Sequence, residues 1–179
     1  MKWKQLSDEV YAATSPIVGV NYNDIKLLKE KITTCKNNRI RICAHQVSAD
    51  NLHEMLIVIT KGSYIRPHKH MNKSESFHII EGLLDVVIFD DEGKIKKIIE
   101  MGSPTSGKNF FYRLSDSHFH TLILKSDLVV FHETTNGPFQ KEDTIYASWS
   151  PVSGDKELEQ KFMSDLENRV IVEHLLLEN

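Results

Sequence analysis

Apolar and polar positions change their period three times along this chain. Between residues 23 and 36, Ile25, Leu28 and Ile32 recur at helical spacing with Lys and Glu between them, and Asn23 and Asp24 stand ahead as candidate caps. This predicts a short amphipathic helix, interrupted by Asn37-Asn38. Arg39 to His45 then alternates with period two, the pattern of a strand with one buried face. Further on, Met55–Ile59, Phe77–Ile80, Leu83–Phe89, Lys94–Met101, Thr121–Leu124 and Leu128–Phe131 form short β-rich runs separated by Gly, Asn, Asp, Ser and Pro. Asp90-Asp91-Glu92-Gly93 reads as a hairpin turn, because its final glycine tolerates positive φ. After Asp155, a candidate cap, Leu158, Phe162 and Leu166 at i, i+4 and i+8 predict a helix packed on the outside of the β structure.

Seven or more short strands without long helices between them predict a mainly β fold, an antiparallel sandwich or small barrel. The expected organisation is one domain: an N-terminal helical segment over 1–38, a β core over 39–154 and a C-terminal helix and tail over 155–179. The length of 179 residues suits a single core, and 40% apolar with 26% charged residues is the composition of an ordinary globular chain. Lys and Arg number 22 against 25 Asp and Glu, a net charge of −3, which supplies no global positive field to gather nucleic acid or anionic lipid. The longest apolar run, Met55–Ile59, is far short of the roughly 18 residues of a membrane span. The polar, acidic N-terminus lacks the apolar stretch of a secretory signal, so a cytoplasmic location is expected, with Cys35 and Cys43 as reduced thiols.

Histidine carries the chemistry. Of nine, His68 and His70 are two apart and project from one face of an extended strand. Glu75 begins the next β run, on the same face as Phe77 and Ile79. A carboxylate at the interior end of an apolar strand is costly without a positive partner, and a divalent cation is the obvious one. Asp116 to Leu122 offers a further nitrogen from a distant strand, His118 or His120. Three nitrogens and one carboxylate oxygen suit Fe, Mn, Ni, Zn or Cu as a divalent ion rather than Ca. The alternative is that these histidines line a polar interior as satisfied core residues.

Gly62-x5-His68-x-His70-x4-Glu75-x6-Gly82 matches the first metal-binding motif of the cupin superfamily at every fixed position, and Ser115–Thr121 resembles a worn second motif. In that alignment His120 takes the place of the second-motif histidine, while Ser115-Asp116-Ser117 replaces the usual Pro-x-Gly. Arg66-Pro67-His68-Lys69-His70, Glu75-Ser76-Phe77-His78, Phe89–Gly93, Gly137-Pro138-Phe139 and Trp149-Ser150-Pro151 together resemble the WbuC-type cupin fold metalloproteins, often encoded among bacterial surface-polysaccharide genes. The resemblance implies a cupin barrel (a double-stranded β-helix or jelly roll) that holds a metal at His68, His70, Glu75 and His120. A homodimer is expected from it as well.

Tyr64 and Arg66 share strand parity with His68 and His70, which makes both candidate substrate-binding residues. Arg66 is read either as a clamp for a carboxylate or phosphate or as the partner of a nearby acidic side chain. His118 is a third candidate, as a donor beside the metal or as a loop histidine in water. His78 has the opposite parity to Glu75 and should face away; His45 and His53 stand where they can close one end of the barrel; His132 and His174 read as structural or solvated. The expected function is a mononuclear metal-dependent enzyme acting on a small molecule. The family's gene setting implies a sugar or sugar derivative and an isomerase-type reaction, with a small-molecule dioxygenase or a non-catalytic metal-dependent binder as the alternatives.

Overall fold

A computed structural model describes residues 2–177. Among these, twelve strands and two α-helices are present. The strands are β1 (Trp3–Ser7), β2 (Val10–Ala13), β3 (Arg39–Cys43), β4 (Leu52–Thr60), β5 (His68–His70), β6 (Glu75–Glu81), β7 (Leu83–Phe89), β8 (Ile95–Gly102), β9 (Phe111–Leu114), β10 (Phe119–Leu124), β11 (Leu128–Asn136) and β12 (Thr144–Tyr146). The helices are α1 (Tyr22–Lys31), which runs on into a 3-10 turn, and α2 (Lys156–Leu177).

One sheet has the order β1-β2-β3-β4-β11-β6-β9 and the other β12-β5-β10-β7-β8. All pairings are antiparallel except β2 with β3. The fold is mainly β, a jelly-roll-like barrel of two facing sheets, as the run of short strands predicts. Alternation sorts each strand's side chains between two faces. On the larger sheet Met55, Ile57, Ile59, Phe77, Ile79, Val129 and Phe131 point inward and meet Leu84, Val86, Ile88 and Leu122 of the smaller sheet. The outer residues Ile40, Ile42, Leu56, Val58 and Val130 pack under α1 through Leu28. Val87, Phe89, Phe119 and Ile123 on the outside of the smaller sheet pack under α2.

Several boundaries depart from expectation. The segment expected to be helical contains the β1–β2 hairpin, whose polar sequence conceals it because only Trp3 of β1 is buried. The cap of α1 is Asn21, and Asp24 instead completes a capping box from the first turn. Asp155 does bond the first turn of α2, accepting from Leu158 N at 3.2 Å. Leu158 itself is 51% exposed, and the inward stripe is Phe162, Leu166 and Val170. Glu159 takes the buried place in the first turn, where it accepts from Gly154 N at 2.7 Å. Strands β9 and β12 have no counterpart among the predicted runs, being only four and three residues long. The expected tail ends at Glu178 and Asn179, outside the described residues.

Both glycines of the 62–82 motif serve turns. Gly62 and Gly82 have φ of +88° and +84°, and a Cβ on Gly82 would lie 2.4 Å from the Leu128 carbonyl oxygen. That close approach joins the β6–β7 turn to β11. The Asp90–Gly93 hairpin is also formed, with Gly93 at φ +83° beneath the Trp149 ring.

Candidate metal centre

His68 and His70 point to one side of β5, and β10 lays His120 directly opposite His68 in the register. Ring nitrogens of the three lie within 4.8 Å of one another. Glu75 arrives from the other sheet, at the start of β6. Its Oε1 is 2.9 Å from His120 Nε2 and its Oε2 3.5 Å from His70 Nε2. The fold therefore gathers His68, His70, His120 and Glu75, at the meeting of the two sheets.

The far nitrogen of each ring fixes its orientation. His68 Nδ1 bonds the Arg66 carbonyl at 2.8 Å, and His120 Nδ1 bonds the His118 carbonyl at 3.0 Å. A carbonyl oxygen only accepts, so both rings donate from Nδ1 and turn Nε2 toward the cluster. His70 Nδ1 lies 3.2 Å from Thr144 Oγ1. This arrangement holds a metal-ligating imidazole in one tautomer.

Two atoms at the centre are orphaned. His120 Nε2 and Glu75 Oε1 are buried and make no hydrogen bond of acceptable geometry despite their 2.9 Å separation. Buried polar atoms are almost always satisfied, so such a pair indicates a missing partner. Two ligands on one ion, with bonds of about 2.1 Å, stand about 3.0 Å apart at octahedral angles and about 3.4 Å at tetrahedral ones. The observed 2.9 and 3.5 Å are short enough for each pair of atoms to share one ion. The donor set thus fits a borderline divalent metal.

Electrostatics agree. Burial presses the Glu75 carboxyl upward, but the neighbouring imidazoles, His120 first, outweigh it and hold Glu75 well below the usual carboxylate range. Burial, then the neighbouring His120, pushes His68 down to about 3, so its ring stays neutral. Burial works against a charge on His120, yet Glu75 prevails and raises it. The anionic Glu75 and the neutral His68 are both in the form that ligates a cation.

The centre opens on a cavity of about 410 Å³. Met55, Ile57, Phe77, Leu122 and Phe131 form its apolar wall, and Arg41, His53 and Glu133 add polar groups from the larger sheet. Glu133 was missed from sequence because its strand was expected to stop at Phe131; β11 continues to Asn136 and keeps Glu133 inward. Burial, then the charge of Glu75, pushes its carboxyl up to about 7. His45 and His53, expected near one end of the barrel, stack with ring centroids 4.0 Å apart on this cavity.

The three candidate substrate residues lie elsewhere. Tyr64 donates to the Pro151 carbonyl at 2.9 Å, while Arg66 donates to Ser150 Oγ at 3.1 Å and the Ala147 carbonyl at 3.0 Å. Neither lines the cavity, although Ile65 between them does. Parity fails as a guide here because residues 61–67 are not a strand, and the chain re-registers at Arg66-Pro67 before β5 begins. Arg66 pairs with no acid among the described residues and braces the loop that follows β12. His118 is also outside the cavity lining, with Nε2 3.5 Å from Asp116. Its carbonyl, which orients His120, is what reaches the centre. His78 pairs across to His132 on the outer face, as its parity predicts.

A family model described as a domain of unknown function, DUF6016, matches residues 20–101. No curated protein matches the chain. Among solved structures it is similar to a Shewanella oneidensis protein, at 12% identity and a TM-score of 0.47 over 57% of this chain and 66% of that one. It is also similar to oxalate decarboxylase of Bacillus subtilis, at 20% identity and a TM-score of 0.44 over 54% of this chain and 24% of that one. A third similar structure is procruciferin, an 11S globulin of Brassica napus, at 12% identity and a TM-score of 0.40 over 49% and 21%. The chain thus spans 66% of the first and about a quarter of the other two. Among the described residues no helix is long and apolar enough to cross a membrane.

Proposed function

We propose that this protein binds one divalent transition-metal ion through His68, His70, Glu75 and His120 and acts on a small molecule held in the adjoining cavity. The observation that carries the reading is the buried, unsatisfied pair of His120 Nε2 and Glu75 Oε1. A bound metal with a free position supplies a Lewis acid that polarises a ligand oxygen or acidifies bound water. The chain's own contribution is to hold three imidazoles in one tautomer, to keep Glu75 anionic and to keep the apolar wall dry around the ligand. Glu133, on that wall and shifted toward neutrality, is placed to hold a proton near the ligand.

The reading extends to an enzyme of the cupin type, with an isomerase-type reaction on a sugar derivative as the finer expectation from the WbuC resemblance. A sugar would set its hydroxyls toward His53, Glu133, Thr135 and Asn136 and its ring against Phe77 and Phe131. The test begins with metal. Protein stripped by chelator and reloaded separately with Mn, Fe, Ni, Zn and Cu is expected to retain about one ion per chain by elemental analysis, and His70→Ala or Glu75→Ala to lose it. Failure of the wild type to retain any ion under excess metal overturns the proposal. The loaded protein is then assayed for isomerase activity and O₂ uptake over sugar-phosphate and nucleotide-sugar panels; tight binding without turnover replaces the enzyme by a binder.

A further inference from the structure

Three cationic side chains line the cavity: Arg39, Arg41 and Lys73. Lys73 donates to the Pro138 carbonyl at 2.7 Å and pairs with Asp143 at 2.9 Å. Arg39 faces Glu9 at 3.6 Å. Arg41 differs from both. Its guanidinium makes no hydrogen bond or ion pair among the described residues, although the side chain is only partly exposed. It stands on the inward face of β3, abreast of Ile57 and Phe131, two strands from β11 and three from β6, where Glu75 lies.

Arg41 lies in the field of the Glu133 carboxyl, yet no group among the described residues bonds its donors. Its five donors in a planar fork match a carboxylate. A dianionic phosphate fits this wall less well, since one guanidinium leaves a charge uncompensated beside Glu133. Between Arg41 and the histidines the wall is Met55, Ile57, Phe77 and Phe131, which accepts an apolar linker.

We infer that Arg41 is the anchor for a carboxylate at the far end of the ligand, so that the small molecule held in the cavity carries an acid group remote from the group that meets the metal. This rests on the metal-site reading only for the group that meets the metal. The remote group is recognised by Arg41 whether or not the metal is present.

The test uses paired probes: alkyl hydroxamates with two to six methylenes, each with and without a terminal carboxylate, titrated calorimetrically into metal-loaded and metal-stripped full-length protein. The carboxylate is expected to improve affinity about tenfold at one or two chain lengths, the size of a charge-assisted hydrogen-bonded pair. Arg41→Met is expected to erase that ratio while leaving the affinity of the plain hydroxamate and the metal content unchanged. Arg41→Lys should restore part of it and serves as the second variant if Arg41→Met fails to fold. A ratio near one at every length in the wild type overturns the inference, as does a ratio that survives in Arg41→Met. Elemental analysis of the same samples separates these outcomes from failure of the metal site: protein that retains no metal under excess ion fails the metal reading, whereas a ratio near one in protein that holds its metal fails this inference alone.

Discussion

Asp24 and Glu75 are both buried carboxylates, 9% and 4% exposed, and the molecule treats them in opposite ways. Asp24 accepts from Trp3 Nε1 at 2.7 Å, Lys2 Nζ at 2.6 Å and Asn21 N at 2.8 Å. Every approach to it is a hydrogen bond, and together these tie α1 to β1. Glu75 faces two imidazoles and leaves Oε1 without a hydrogen bond. A satisfied carboxylate holds elements together. An unsatisfied one among convergent ring nitrogens marks a place for something the polypeptide does not provide.

The largest effect should come from metal. Adding a saturating ion to stripped wild-type protein is expected to raise the unfolding free energy by about 3 kcal/mol at a concentration of about 100 Kd, measured by denaturant titration. Glu75→Ala and His120→Ala should abolish that increment. Asp24→Ala should leave it intact while lowering the stability of loaded and stripped protein alike, by about 2–3 kcal/mol, for the lost cap and charge-assisted bonds. If Asp24→Ala abolishes the increment, or Glu75→Ala preserves it, the contrast between the two carboxylates is wrong.

The two sites should also separate by pH. Burial raises Asp24, but bonds from Lys2, Trp3 and Asn21 N outweigh it and hold its pKa below 3.8 in the folded state. A depressed pKa contributes stability above the unfolded value and loses it as pH falls through the folded value. Stability of stripped wild type should therefore fall below about pH 4, and Asp24→Asn should flatten this part of the acid limb by removing the titrating group. An unchanged acid limb in that variant would show that Asp24 carries no such linkage. The smallest effect is expected at His118, whose ring lies outside the cavity. His118→Ala should change stability by no more than about 0.5 kcal/mol and leave metal content unaltered. Loss of metal in this variant would exchange the places of His118 and His120.

Much of this was legible before folding. His68, His70 and Glu75 sit at fixed separations on two adjacent runs, so period-two alternation alone aims them inward. His120 came from resemblance to a motif, and the structure supplies the reason for preferring it over His118: it lies in register with His68. Parity misled at Tyr64 and Arg66 because alternation holds only within a strand, and none runs through them. It also fell short at Glu133, where a charged residue seemed to end a strand that in fact continues.

Sequence by itself determined the strand-rich core, the turns that need positive φ at Gly82 and Gly93, the outer packing of α2 and the donor types of the candidate centre. These depend on local backbone preference and short spacings, which the chain carries wherever it goes. Tertiary structure alone decided that β10 lies beside β5, that Arg66 braces a loop while Arg41 faces the cavity unpaired, and that the β1–β2 hairpin joins the sheet beside β3. Those are relations between residues far apart in the chain, and only the closing of two sheets on one core brings them within reach of each other.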